Sequence, residues 1–168
     1  MAARAIRKNL NLFVDGRGYA GDIQDFNAPK LTLKTEDFRA GGMNAPKKLN
    51  MGLESLDTDF SLTSYDADVI ALFGVQPGAD VSFIAREVLE DFDGVVTPVA
   101  HYMQGTITEF DPGTSKAGEL APIKITMNLN YYKLQHGDRV LHEIDIENMV
   151  QIVDGVDQLA NQRAALGI

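Results

Sequence analysis

Apolar and polar residues alternate along most of this chain, with the period of two that is typical of β-strands with one buried face. Turn residues separate the alternating segments, with Asp15–Gly16 in the first hairpin and His136–Gly137–Asp138 in the last. The sequence therefore predicts antiparallel strands joined by tight turns. The alternating segments are 9–23, 29–38, 49–62, 80–89, 98–113 and 121–147.

Two segments show the apolar spacing of a short helix. The first covers about residues 64–74, with Ser64 as N-cap and Gly74 as the stop, backed by Pro77–Gly78. The second covers about residues 156–166. No helices of crossover length alternate with the strands, which argues against a Rossmann-type sheet. We expect one mainly β domain over residues 1–168, an antiparallel β-barrel or sandwich with one short central helix and one short C-terminal helix.

Residues 39–53 are interpreted as one long loop, in which the alternation breaks after Phe38 and resumes only at Leu49. They combine glycines, a proline and two lysines with apolar side chains. Beyond them, the parity of the apolar positions changes between Leu53 and Leu56, which predicts a bulge or a bend near Glu54–Ser55. From the residues alone, this loop either folds back over its own core or is buried only in an assembly.

The composition narrows the possible functions. The chain contains no cysteine, which excludes disulfides and cysteine chemistry. Its formal net charge of −9 disfavours binding to duplex DNA by counterion release. No apolar run reaches the ~18–20 residues that span a bilayer, and the basic N-terminus lacks the apolar stretch of a secretory signal. We therefore expect synthesis and folding in a cytoplasm, without a membrane anchor.

Candidate catalytic chemistry is sparse. Carboxylate pairs such as Glu143 and Asp145 could hydrolyse a glycoside, but any acidic, solvated strand has such pairs. The run of residues 86–94 is interpreted as an exposed strand end. No enzymatic activity, metal or cofactor is therefore predicted. Three histidines lie on different predicted elements without metal-ligand spacing: His101, His136 and His142.

Several segments together resemble a known family. In chain order they are NLFVDGRGYAGDI, PKLTLKTEDFRAGGMNAP, NMGLESLDTDFSL, NLNYYKL, HEIDIEN and DGVDQLANQRAALGI. From about Asn9 to its last residue, the chain resembles the major tail tube proteins of contractile-tailed bacteriophages and R-type tailocins. The most specific part is K-T-E-x-x-R-A-G-G-M-x-A-P followed by M-G-L-E, and G-V-D-Q-L-A is a second anchor.

The resemblance implies a structural role. Tube proteins of this kind form hexameric rings, which stack into a tube inside a contractile sheath, and neighbouring subunits contribute strands to one inner barrel. The expected partners are further copies of the chain, the sheath protein, the tape-measure protein, the baseplate and a tail terminator. DNA is expected to pass through the lumen without specific binding. Sheath contraction then drives the tube through the host envelope. The protein is expected in the virion, after synthesis in the host cytoplasm.

The resemblance also implies two sets of functional residues. In this family a long loop between two early strands reaches into the adjacent ring, and residues 39–53 match it by position. By parity, the polar strand faces also carry Lys30, Lys34 and Lys124, which argues against a lumen lined only by acidic residues. The expected ring contacts are Arg39, Gly41, Gly42, Met43, Asn44, Ala45, Pro46, Leu49, Met51 and Leu53. The candidates for the lumen-facing set are taken from the polar faces of the long strands: Glu36, Asp57, Asp59, Thr106, Thr108, Thr126, Asn128 and Asn130.

Two other functions stay open at this level. A tube component of a type six secretion system, which moves effectors, shares the architecture, but the R-A-G-G-M and G-V-D-Q-L-A motifs favour the phage family. A carbohydrate-binding or hydrolytic β-sandwich built around Glu143 and Asp145 would need an aromatic platform. The chain has no tryptophan, and Tyr131–Tyr132 is its only tyrosine pair.

Overall fold

A computed structural model describes residues 5–74, 76 and 78–168. The described residues form a mainly antiparallel β structure with two short helices, α1 (Ala67–Ile70) and α2 (Ala160–Leu166). The fold class predicted from the alternation is confirmed. The strands are β1 (Ile6–Val14), β2 (Arg17–Gly18), β3 (Ile23–Asn27), β4 (Leu33–Phe38), β5 (Lys47–Leu53), β6 (Leu56–Leu62), β7 (Val81–Glu90), β8 (Val96–Asp111), β9 (Ile123–His136), β10 (Arg139–Asp145), β11 (Val150–Val153) and β12 (Val156–Asp157).

Strand β9 is the centre of the larger sheet. One of its edges pairs with β8, while the other pairs with β6 over residues 123–129 and with β10 over residues 131–136. From β8 the sheet continues through β7 and β1 to β2, and from β10 through β11 to β12. Strand β3 pairs with β6, and β4 and β5 form a separate two-stranded sheet. The described strands therefore form a large branched sheet and a small isolated one.

The core lies against one face of the large sheet. Alternate side chains of β9 supply its centre, because successive residues of a strand point to opposite faces. The rings of Phe60 and Phe83 pack 5.4 Å apart, and Val69 of α1 joins the same cluster. Each fully buried apolar side chain stabilises the fold by roughly 1.5–3 kcal/mol. The four β9 residues, all at most 1% exposed, are Ile123, Ile125, Met127 and Leu129.

The central helix is shorter than predicted. It covers a single turn rather than residues 64–74, and its N-cap is Asp66 rather than Ser64. The Asp66 carboxylate accepts hydrogen bonds from the backbone N–H groups of Asp68 and Val69, which satisfies two donors of the first turn. The cap therefore lies two residues later than the serine that the sequence suggested.

The ends of the helical segments also differ in part from the prediction. Gly74 takes a positive φ of 79° after the turns that follow α1, whereas Pro77 of the predicted second stop lies outside the described residues. Helix α2 begins at Ala160 rather than near Val156, because Val156 belongs to β12 and pairs with β11. Gly167 ends α2 in the left-handed conformation with a φ of 75°.

A buried polar cluster corrects the interpretation of residues 86–94 as an exposed strand end. Glu87 is only 5% exposed, since it shares the inward parity of the β7 core residues. Its carboxylate lies 3.1 Å from Nε2 of His101 and 2.9 Å from Nε of Arg7. The Tyr132 hydroxyl lies 2.9 Å from Nδ1 of His101. The hydrogen bond with His101 and the charge of Arg7 hold the pKa of Glu87 below its usual value, despite its burial.

This cluster predicts an acid-dependent loss of stability. Because the pKa of Glu87 is lower in the folded protein, its stabilisation is present above the unfolded value of 4.5 and is lost as the pH falls through the folded pKa. Glu87→Gln should lower the free energy of unfolding near neutral pH. The difference from the wild type should shrink as the pH falls to about 3. Urea denaturation at several pH values measures it. The exposed Glu109→Gln serves as control, and an equal pH dependence in both variants would contradict the assignment.

Gly105 marks a close approach of β8 to β9. It lies at a register shift between them, where an added Cβ would meet the Asn128 carbonyl oxygen at 2.0 Å and the Leu129 Cα at 2.8 Å. Both atoms belong to the backbone, so neither can rotate away.

Gly105→Ala should therefore destabilise the subunit by about 1–3 kcal/mol or more, measured by chemical denaturation. Gly41→Ala is the matched control, because among the described residues no atom lies within 4 Å of its added Cβ. Equal midpoints for the two variants would show that the β8–β9 contact is not rigid.

Candidate assembly surfaces

The two-stranded sheet of β4 and β5, with the turn between them, forms a projecting element that we call the arm (residues 33–53). Its strands are antiparallel, with Glu36 opposite Leu49 and Phe38 opposite Lys47. Among the described residues, neither strand pairs with the large sheet. Every residue of the two strands except Leu53 is exposed. A two-stranded hairpin is marginally stable by itself in water, so this arm needs further packing.

The arm corrects the prediction that residues 39–53 form a loop. Residues 47–53 are strand β5, and the connection is confined to residues 39–46. The alternation of Lys48 and Asn50 with Leu49 and Met51 explains the strand, because it places polar and apolar side chains on opposite faces.

A bulge in β5 changes which residues share a face. β5 has one residue more than β4 between two of their pairs, and Gly52 there takes a φ of 108°. Leu53, which parity placed with Leu49 and Met51, is therefore turned to the opposite face and packs against the core. The predicted break near Glu54–Ser55 is where β5 ends and β6 begins.

The apolar residues that remain together define the apolar arm face: Phe38, Leu49 and Met51. They are 50%, 40% and 52% exposed, respectively. The register places Glu36 and Lys47 beside them, so charged groups border the apolar side chains. Such a bordered apolar surface is typical of a protein–protein contact.

The tip of the arm, residues 39–46, is a closed turn. The Met43 N–H donates to the Ala40 carbonyl over 3.2 Å, and Nε of Arg39 donates to the Met43 carbonyl over 3.3 Å. Gly42 has a φ of 88°, as the third residue of a type II turn requires. The remaining predicted contact residues of the tip are all exposed: Gly41, Asn44, Ala45 and Pro46.

The arm is basic although the chain is acidic. Residues 29–53 contain five of the 15 basic residues and two of the 24 acidic ones, an excess of three positive charges. The rest of the chain has ten basic and 22 acidic residues, an excess of twelve negative charges. The arm of one copy is therefore attracted to the remainder of another. The charged residues of 29–53, all in the arm except Lys30, are Lys30, Lys34, Arg39, Lys47 and Lys48 against Glu36 and Asp37.

Most of the predicted lumen-facing residues lie side by side on the outward face of β6, β9 and β8. Across β6 and β9, Asp57 is opposite Asn128 and Asp59 is opposite Thr126. Thr106 is opposite Asn128 on the other side of β9. In contrast, Glu36 lies on the arm and is separated from this group.

Two further predicted residues sit where the pairing of β8 and β9 shifts by one residue. Thr108 is the extra residue of β8, and its hydroxyl donates to the Thr126 carbonyl over 3.3 Å. Asn130 is the extra residue of β9, and its amide donates to Asp80 over 2.9 Å. At each bulge, the side chain of the extra residue is therefore held by a hydrogen bond to another segment of the chain.

Four carboxylates lie on this surface, and we call them the acidic face: Asp57, Asp59, Glu109 and Asp111. Lys124 also lies on it, opposite Asp111 and Ser61. Parity placed Lys30 and Lys34 on the same face. In the structure, Lys34 belongs to the arm and Lys30 precedes it. Asp57 accepts a hydrogen bond from the Asn128 amide over 2.9 Å. The surface is more acidic than the strand parity suggested.

The carboxylates considered for glycoside hydrolysis have local partners. The Tyr131 hydroxyl donates to Glu143 over 2.9 Å, and burial together with Glu143 raises the pKa of Tyr131 to about 12. Asp145 accepts hydrogen bonds from the backbone and side chain of Asn148. In the described part of the chain, no group of three or more His, Cys, Asp or Glu side chains could hold a metal ion. No helix among the described residues is both long and apolar enough to cross a membrane.

A groove of about 470 Å³ lies at the base of the arm, which we call the basal groove. It is bounded by the β5–β6 connection, the segment between β10 and β11, and α2. Its charged lining residues are Glu54 and Asp145. Arg163 of α2 pairs with Asp157 and donates to the Met149 carbonyl over 2.8 Å, which fixes one wall. The apolar lining includes Leu53, Leu56, Ile144, Ile146, Met149 and Leu159.

Comparison with known proteins assigns the chain to a family. The family described as phage tail tube protein FII matches residues 4–167, and the chain belongs to this family. It is 33% identical over 165 residues to the tail tube protein of Escherichia phage P2, covering 96% of each chain. It is 35% identical over 156 residues to the major tail tube protein of Serratia phage KSP20, covering 90% of each. The tail tube assignment expected from the resemblance is confirmed, and the protein is a virion component of a contractile phage tail.

Solved structures share the fold at low identity. A chain of the PVC sheath/tube terminator of an extracellular contractile injection system has a TM-score of 0.58 and 13% identity, covering 75% of this chain and 92% of that one. A chain of the PVC sheath–tube complex gives 0.57 and 12%, covering 75% and 87%. The tube-terminating cap of the anti-feeding prophage gives 0.57 and 14%, also covering 75% and 87%.

Proposed function

We propose that six copies form a ring, that the rings stack into the inner tube of a contractile tail, and that the arm joins successive rings. The observation that carries this proposal is the apolar arm face, which is exposed in the single chain. Burying Phe38, Leu49 and Met51 against another copy removes apolar surface from water, at roughly 25 cal/mol per Å². The same contact supplies the packing that an isolated hairpin lacks.

The acidic face is proposed to line the lumen. Its carboxylates repel the phosphates of DNA, so the genome moves through the tube without being retained. A ring of six copies repeats this charge six times around the passage. Thr106, Thr126 and Asn128 add short neutral polar groups between the carboxylates, which keeps the surface wetted.

The proposed partners are the sheath outside the tube, the tape-measure protein inside it, and the baseplate and tail terminator at its ends. The shared fold with chains of a sheath–tube complex and a tube-terminating cap supports the sheath and the terminator in this set. The role is passive and uses no cofactor or enzymatic step. The tube is made in the host cytoplasm and is driven through the envelope when the sheath contracts. Relatives named as phage proteins favour this function over a secretion tube.

Shortening the arm tests the ring contact. Replacing residues 39–46 with Asn-Gly connects Phe38 to Lys47, which already pair, through a two-residue turn of the favoured type. The subunit should keep its circular dichroism spectrum and melting temperature, because the tip belongs to a sheet separate from the core. Electron microscopy should show rings or monomers and no tubes, whereas the wild type forms tubes.

The matched control replaces the exposed residues 115–118 with a Gly–Ser linker of equal length, which should leave tube formation intact. Normal tubes from the shortened arm would show that the tip, residues 39–46, is not part of the ring contact. A wild-type chain that stays monomeric at all concentrations and never enters a tail would contradict the tube itself.

Charge reversal tests the lumen. Tails of the double variant Asp59→Lys with Glu109→Lys should still assemble. Their lumen should retain DNA, which should lower the infectious titre per particle by about tenfold or more. The defect should weaken at high salt, because screening reduces the attraction between lysine and phosphate. The control reverses two exposed carboxylates outside the acidic face, Asp93→Lys with Glu119→Lys. Equal titres for the two double variants would place the acidic face elsewhere than the lumen.

A further inference from the structure

We infer that the arm of one copy docks into the basal groove of another copy, with its lysines against the acidic residues of that groove. This inference rests on the proposed function and specifies both surfaces of the ring-to-ring contact. The occupant is therefore a second copy of this chain, and the docking segment is the apolar arm face with the two lysines that border it, Lys34 and Lys47.

The chemistry of the two surfaces is complementary. The basal groove is lined by apolar side chains, and both of its charged residues, Glu54 and Asp145, are acidic. Lys34 of β4 and Lys47 of β5 share the parity of the apolar arm face, against the carboxylate of Glu36. Apolar contact and opposite charge thus favour the same docked position.

An arm cannot fill the groove of its own chain. Its base, Gly52 and Leu53, forms part of the groove wall. The paired strand from Lys47 to Gly52 carries the distal end roughly 17 Å away, at about 3.3 Å per residue. The Phe38–Lys47 end of the arm therefore reaches only the groove of another molecule.

The arm and the basal groove are different surfaces, so the contact between copies is head-to-tail. A head-to-tail contact repeats: each copy that receives an arm presents its own arm to the next one. Contacts of this kind build open stacks when their rotation does not close on itself. The arm and the groove would thus give the tube its polarity.

Site-specific cross-linking tests the docking. The chain has no cysteine, so introduced thiols are unique. One chain carries Leu49→Cys, a second, differently tagged chain carries Gln162→Cys in the groove wall, and a third carries Leu120→Cys on an exposed loop as control. Mild oxidation of mixed tubes should join the Leu49 and Gln162 variants into a covalent heterodimer. The Leu49 and Leu120 variants should not be joined, because a disulfide needs Cα atoms within about 7 Å.

Charge exchange provides a second, independent readout. Lys34→Glu with Lys47→Glu should raise the protein concentration needed for tube formation by about tenfold or more, since acidic groups then face acidic groups. Adding Glu54→Lys to that chain should recover part of the loss. The charge-conserving control, Lys34→Arg with Lys47→Arg, should assemble like the wild type.

The outcomes separate the two levels of the proposal. Tubes that form normally, with no Leu49–Gln162 heterodimer and no recovery by Glu54→Lys, would overturn the groove as the docking site and leave the tube function intact. A wild-type chain that forms neither rings nor tubes would overturn the proposed function and this inference with it. A heterodimer that forms equally in dispersed monomers would also overturn the inference, because assembly is then not required for it.

Discussion

The fold depends on the pairing of β9 with three neighbours at once. One edge of this strand pairs with β8, while the other is divided between β6 and β10. β9 also supplies Ile123, Ile125, Met127 and Leu129 to the core. The same strand therefore holds the sheet together and supplies the centre of the core. At Gly105 the β8 backbone lies so close to the β9 backbone that no side chain fits between them. The outward side chains of β9, including Asn128, are thereby held in place for the acidic face.

Much of the fold could be predicted from the sequence because alternation is a local signal. Asp15–Gly16 and the turn after His136 were placed correctly, since their residues adopt the conformations that tight turns need. The helix limits were not, because Asp66 and Ser64 are both good caps and the choice depends on tertiary packing. The burial of Glu87 was also missed. Its partners His101 and Tyr132 lie on other strands, and no local pattern indicates them.

The candidate surfaces were predictable in unequal parts. The family resemblance pointed to residues 39–53 and strand parity indicated the polar strand faces, but parity counting failed at the bulge of Gly52, which moved Leu53 to the other face. Parity placed Asp57 and Asn128 on polar strand faces, and the register of β6 with β9 sets them opposite each other. The basal groove could not be predicted, because it combines Glu54, Asp145 and α2 from three distant parts of the sequence. The excess of positive charge in residues 29–53 was readable from composition, yet it became informative only when residues 33–53 proved to form a separate two-stranded element.

The separation of the arm from the large sheet has a consequence for how such tubes diversify. Substitutions in the arm leave the pairing of the other strands untouched, so in the proposed tube they are filtered by the surface that receives the arm rather than by the stability of the subunit. Arm and receiving surface are encoded in one gene, so a matched pair of changes is inherited together. Two tube proteins of the same fold could thereby diverge until neither is incorporated into the other's tail, which would keep assembly faithful when two phages infect one cell.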